Sequence, residues 1–265
     1  MKNLSLLFFV ALGLSSCQWG VPNKVAEKSF DTLHYAYKVI KARAADCGTK
    51  PDSACTVVKI NYPFFDNAKA LNDTITRKLT SMFAMDGKPD SSLELMTKKF
   101  LKSYDDFKKD DSRSGMFFTL DDSVKVIHQD SSLTTLQVSG YSYQGGAHGG
   151  SFTGFINWDV KAGKNLRLDD VFAAGYHEKL NAVAEKIFRK DEKLSDTASL
   201  KDNYFFKDDK FALNENFSIT PIGIRFLYNQ YEIKPYAAGI TELFIPYAQI
   251  KSLLRPNTVV SQFIK

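Results

Sequence analysis

Leu133-Thr134-Thr135-Leu136-Gln137-Val138-Ser139-Gly140-Tyr141-Ser142-Tyr143 decides the fold class. Leu136 and Val138 recur at a period of two, which marks a half-buried strand. A similar pattern fills Met116 to His128, and the polar tetrapeptide Gln129-Asp130-Ser131-Ser132 joins the two as a hairpin. Outward from this hairpin, Phe152, Gly154, Ile156, Trp158 and Val160 share one face of a further strand. Lys161-Ala162-Gly163-Lys164 forms its turn. Val57 to Phe65 reads as a strand ended by Pro63, since proline cannot donate to a ladder. Ile222, Ile224, Phe226 and Tyr228 alternate in the same way near the end.

Between these strands the spacing turns helical. Ala68, Leu71, Ile75, Leu79, Met82 and Phe83 form one stripe, and Leu93, Met96, Phe100, Tyr104 and Phe107 form a second. Ser91 with Glu94 has the spacing of a capping box ahead of the second stripe. Leu180, Val183, Ala184, Ile187 and Phe188 make a third helical face. Tyr247, Ile250 and Leu254 make a fourth, opened by Pro246 and closed by Pro256. Helices interrupting hairpin-linked strands give an α+β class, with a mostly antiparallel sheet, packed helices and two closely associated subdomains.

Composition excludes some functions. Lys and Arg number 35 against 30 Asp and Glu, a net +5, but the two signs are interspersed, as in Lys108-Lys109-Asp110-Asp111. Mixed runs are solvated surface, and no basic stripe argues for nucleic acid. The beginning of the chain is more informative. Lys2, the apolar run Leu4 to Leu14, and Ser15-Ser16 before Cys17 have the layout of an export signal. The apolar run falls short of the ~20 residues that span a bilayer. Export places Cys47 and Cys55 in an oxidising compartment. There they read as a disulfide closing a turn-rich loop, with two free thiols as the alternative.

A catalytic set is hard to find. The histidines are His34, His128, His148 and His177, and His177-Glu178-Lys179-Leu180-Asn181 lacks the second histidine of a zinc-protease helix. Gly149-Gly150-Ser151-Phe152-Thr153-Gly154 misplaces its second glycine for a nucleophile elbow. Asp121-Asp122 and Asp169-Asp170 are expected to cap or solvate, because adjacent strand residues face opposite ways. No metal site and no cofactor are expected. The unusual segment is Gly145-Gly146-Ala147-His148-Gly149-Gly150, either a tight strand connection or a ligand loop. In the second reading Tyr141, Tyr143, Gly145, Gly146, His148, Tyr231 and Tyr236 form one ligand-binding site, with the Tyr231–Gly239 loop beside the glycine loop. A bulge at Gly140 would instead turn Tyr141 and Tyr143 into the core.

Three stretches carry a resemblance. They are Tyr141 to Gly149; Asn157 to Lys164 continued by Leu166, Leu168, Asp170 and Phe172; and Tyr231 to Gly239 continued by Ile245-Pro246-Tyr247. In this order they resemble the RsiV-like and PdaC-like pair of bacterial extracytoplasmic domains of unknown function. Ile60-Asn61-Tyr62-Pro63 is similar to the opening strand of the PdaC-like domain. Leu14-Ser15-Ser16-Cys17 likewise resembles the lipobox of bacterial lipoproteins. The resemblances imply a signal peptide over 1–16, lipidation at Cys17, a tether over 17–32, a PdaC-like domain over 33–160 and an RsiV-like domain over 161–265. They imply a lipid-anchored, non-catalytic envelope protein that binds or senses a lysozyme-like protein or a cell-wall glycan. A cell-wall hydrolase using His148 and a structural lipoprotein without soluble ligand are the alternatives. Gln18 and the lack of a following acidic run favour the outer membrane, facing the periplasm. Replacing Cys17 with Ala should abolish incorporation of labelled fatty acid and release the protein from membranes. Unchanged membrane partition of that variant refutes the anchor.

Overall fold

A computed structural model describes residues 32–84 and 87–264. The leader, Cys17 and the tether through residue 31 lie outside the described residues. The strands are β1 (Tyr35–Arg43), β2 (Val57–Phe65), β3 (Thr119–Gln129), β4 (Leu133–Tyr143), β5 (Gly150–Asp159), β6 (Lys164–Asn165), β7 (Phe217–Thr220), β8 (Gly223–Tyr228) and β9 (Thr241–Pro246). The helices are α1 (Lys69–Ser81), α2 (Leu93–Asp110), α3 (Leu168–Val171), α4 (His177–Asp191) and α5 (Tyr247–Ile250). β1 to β6 form one sheet in chain order, and β7 to β9 a second. All pairings are antiparallel except β2 with β3, which α1 and α2 connect. The class is therefore α+β with mostly antiparallel sheet.

Two apolar clusters hold these layers. Leu71, Ile75 and Leu79 of α1 and Leu93, Phe100 and Tyr104 of α2 bury against Val58, Ile60, Val124, Leu136, Val138, Ile156 and Trp158. Leu180, Ala184 and Phe188 of α4 cluster with Ile219, Ile224, Phe226, Leu243 and Ile245 of the small sheet. A Cys47–Cys55 disulfide closes the β1–β2 connection.

Several local expectations need correcting. β2 continues through Pro63, which pairs with Tyr37. Contact with β3 ends at Asn61, so beyond it a residue without an N–H costs no ladder bond on that side. The cap of α2 is Ser92, whose side chain accepts from Leu95 N at 3.1 Å. Ile222 is 71% exposed, at the tip of the two-residue turn between β7 and β8. After Pro246 the chain makes only one α-helical turn, then a 3-10 turn over Lys251–Leu253.

Gly140 carries no bulge. The β4–β5 register runs unbroken from Leu133 to Ser142, and the irregularity on β3 falls at Ile127 instead. A glycine is required at 140 because its cross-strand partner is Asp122. A Cβ there would stand 2.4 Å from Asp122 Oδ1 and 2.8 Å from the ends of Met82 and Phe83. Asp122 is also the exception among the paired acids. Asp170 does cap, accepting from Arg167 N at 2.9 Å, whereas Asp122 is fully buried with both oxygens unpartnered. Burial, reinforced by the charge of Asp121, pushes its carboxyl from 3.8 up to about 8.

The sign of the consequence is fixed. Unfolded Asp122 ionises near 3.8 and the folded group near 8, so the unfolded state holds fewer protons in between. Its contribution therefore falls as pH rises from about 4 to about 8, at up to ~1.4 kcal/mol per pH unit. Asp122→Asn should gain stability relative to the native protein across this window in urea melts, and the difference should level off above it. A pH-independent difference would contradict the buried neutral acid.

Candidate functional site

The Gly145–Gly150 loop joins β4 to β5, and the Asn229–Gly239 loop joins β8 to β9. They meet because one side-chain amide takes the place of a strand. Along its middle, β5 has β4 on one side only, since β6 pairs just Trp158 and Asp159. Thr153 would leave an N–H and a C=O unpaired. Asn229 Oδ1 accepts from Thr153 N at 2.7 Å, and Asn229 Nδ2 donates to Thr153 O at 3.0 Å. Asn216 Nδ2 adds a donation to the same carbonyl at 2.8 Å.

This clamp brings His148, Tyr231 and Tyr236 together, while Tyr141 and Tyr143 make no ring contact with them. The His148 ring stacks on Tyr236 at 4.0 Å and 21°. Tyr231 lies 6.2 Å from His148 and 5.5 Å from Tyr236. His148 Nδ1 lies 2.9 Å from Gly149 O. A carbonyl only accepts, so Nδ1 carries the proton, and in the neutral ring Nε2 accepts from the Tyr231 hydroxyl at 3.4 Å. His148 and Tyr231 are exposed and Tyr236 half-buried. The rings border a shallow hollow of about 190 Å³, completed by Gly149, Gly150, Ser151 and Gln230. Gln230 Oε1 is buried without a partner.

Tyr141 and Tyr143 serve the loop differently. Without a bulge they leave the core-facing side of β4. The Tyr141 ring lies so close to Gly149 that a Cβ there would approach it to 2.4 Å. Tyr143 donates through its hydroxyl to Gly146 O at 3.1 Å. Gly145 and Gly146 adopt φ of 97° and 89°, which favour glycine. Tyr231 adopts φ 64° despite its side chain. Its turn is fixed by Glu232, which accepts from Asn229 N at 2.8 Å and from Asn214 Nδ2 at 2.6 Å. Sequence reasoning passed over Asn229, Gln230 and Glu232; the run Asn229-Gln230 before a tyrosine-rich loop was the available signal. It also passed over a cleft of about 260 Å³ lined by Phe83, Met96, Phe100 and Leu120. Among the described residues no group of three or more His, Cys, Asp or Glu could hold a metal.

Residues 49–151 match the family described as deacetylase PdaC, and residues 169–248 the family described as a protein of unknown function, DUF3298. The chain carries a PdaC-like and DUF3298 domain pair of unknown function. It is 24% identical over 203 residues to the peptidoglycan-N-acetylmuramic acid deacetylase PdaC of Bacillus subtilis. That match covers 76% of this chain and 39% of the relative, so the chain spans well under half of that protein. A DUF3298 family structure from Bacteroides fragilis superposes with a TM-score of 0.72 at 25% identity, covering 89% of this chain and 99% of that one. Another from Pseudomonas aeruginosa gives 0.67 at 25% identity, covering 85% and 95%. The His148 loop falls at the end of the PdaC-like match and the Tyr231 loop inside the DUF3298 match, so the ring cluster is built from both.

Asn229→Ala tests the clamp. It leaves Thr153 N without a partner, and stability should fall by ~1–3 kcal/mol in urea unfolding. A loss below about 0.5 kcal/mol, within the range of ordinary surface changes, would show that the amide does not hold the loops together.

Proposed function

We propose that this protein is a non-catalytic module of the cell envelope that binds cell-wall glycan on the His148–Tyr236–Tyr231 platform. The observation that carries the reading is the stacking of the His148 ring on Tyr236 beside the exposed Tyr231. Sugar rings present apolar C–H faces and a rim of hydroxyls. Aromatic faces meet the first, and the tyrosine hydroxyls meet the second. Similarity of 76% of this chain to 39% of a peptidoglycan-N-acetylmuramic acid deacetylase supports a cell-wall ligand. Cys47 and Cys55 form a disulfide, which suits an oxidising envelope compartment. Anchoring through a lipid on Cys17, at the outer membrane and facing the periplasm, belongs to the same proposal.

His148 supports binding better than hydrolysis. Its Nδ1 is engaged by a backbone carbonyl, and Nε2 faces a tyrosine hydroxyl rather than a serine or cysteine. A lysozyme-like protein ligand is the second reading, favoured by the exposure of Tyr231 at 57%, because protruding tyrosines anchor protein interfaces.

Co-sedimentation with purified peptidoglycan sacculi, in parallel with capture on immobilised lysozyme, tests the proposal. The native protein should sediment with sacculi. His148→Ala and Tyr236→Ala should each weaken that binding about tenfold, the equivalent of ~1.4 kcal/mol, with unchanged melting temperature. Retention on lysozyme alone would favour the second reading. Undiminished sedimentation of both variants would remove the platform from the interaction.

A further inference from the structure

β1 closes the six-stranded sheet on one side, pairing along all nine residues with β2. Among the described residues no strand pairs with its outer edge. Natural edge strands are guarded by shortness, charged side chains, proline, a bulge or a covering element, because a free row of N–H and C=O groups is a template for another strand. β1 carries Lys38, Lys41 and Arg43, but it is long, regular and free of proline. Its outward face also exposes apolar surface: Tyr35, Tyr37 and Val39 are 38%, 48% and 60% exposed. Tyr35 is braced by Phe65 at 5.0 Å and by Tyr37 at 5.7 Å, so the two rings form a fixed ledge. On the same face, Asp52 holds Lys41 at 2.5 Å and Arg43 at 3.3 Å.

We propose that β1 is a self-pairing edge, and that two copies of the chain join antiparallel about Val39 into one continuous sheet. The order of residues along β1 is self-complementary in that register. Val39 faces Val39 of the second copy, Tyr37 faces Lys41, Tyr35 faces Arg43, Ala36 faces Ala42 and Lys38 faces Ile40. All nine residues pair, both tyrosines meet a cation, and no like charges oppose each other. Neighbouring registers are worse. Centring on Lys38 sets Lys38 against itself, and centring between Val39 and Ile40 sets Lys38 against Lys41. Centring between Lys38 and Val39 leaves both tyrosines without a cation, and centring on Ile40 leaves Tyr35 and Ala36 without partners on the strand. A two-fold contact of this kind uses the same patch on both copies and closes on itself, so it ends at a dimer.

Sedimentation of the full chain, in detergent and over a wide range of concentration, tests the dimer. Val39→Lys places two cations opposite each other at an exposed position and should shift the native dimer to monomer, with circular dichroism and melting temperature unchanged. Single cysteines test the register separately. Val39→Cys should form a disulfide-linked dimer in air beyond any formed by the native chain. Lys38→Cys should not, because its two copies lie diagonally, past the ~7 Å between Cα atoms that a disulfide bridges. A native chain that stays monomeric throughout would overturn the proposal. So would a Val39→Lys variant that remains dimeric, or cross-linking at Lys38 equal to that at Val39.

Discussion

An asparagine amide standing in for a strand is the interaction on which the arrangement of this molecule depends. Asn157 Nδ2 donates to Phe217 O at 2.9 Å, and its Oδ1 accepts from Ile219 N at 2.8 Å. That pair of bonds ties the large sheet to the outer edge of β7, which otherwise pairs only with β8. Asn229 returns the favour on Thr153 of β5. Asn72 closes on both backbone groups of Phe65, at 2.9 and 2.8 Å, and so fixes α1 to the end of β2. Asn181 bridges Phe211 O and Leu213 N, at 3.1 and 3.0 Å, and pins the long connection after α4. A primary amide has one donor arm and one acceptor arm on a planar group, the same equipment as a peptide unit. At these four junctions the chain supplies that group from a side chain.

The two sheets are consequently coupled through polar contacts at defined points as well as through the apolar clusters. Thr135 Oγ1 donates to Ile219 O at 3.3 Å, and Arg225 lies 4.8 Å from the centre of the Phe155 ring. Apolar packing alone tolerates sliding. Directional bonds to named backbone atoms do not, which is why His148 and Tyr231, 83 residues apart in sequence, arrive in ring-stacking register. Each amide also removes a donor and an acceptor that would otherwise be buried without partners.

Much of this frame was legible in the sequence, for reasons visible in particular residues. β4 begins and ends where the alternation from Leu133 to Tyr143 says it should, because one of its faces is core throughout. The stripes of α1, α2 and α4 are read from the same asymmetry. The nearness of the glycine loop to the Tyr231 loop followed from their matching position at strand ends. What escaped the sequence has a common cause. β1 exposes Tyr35, Tyr37 and Val39 and half-buries Ile40 and Ala42, so its apolar pattern is blurred across both faces. β7 is four residues long, too short to show a period. The asparagines read as polar surface, since nothing local distinguishes an amide facing solvent from one facing another strand's backbone. Asp122 misled for the opposite reason: the rule that adjacent acids face opposite ways was correct, and one of those ways was the core.

Tyr231 at φ 64° has a thermodynamic meaning of its own. A side-chain-bearing residue in the left-handed region costs on the order of 1–2 kcal/mol, and folding has already absorbed that cost through the Asn229–Glu232 turn. The ring is thereby fixed before anything touches it. Ordering flexible side chains is one of the larger penalties of association, at ~0.5–1.5 kcal/mol each. If the rings bind the glycan proposed for them, a His148 ring already stacked on Tyr236 would surrender little of that entropy.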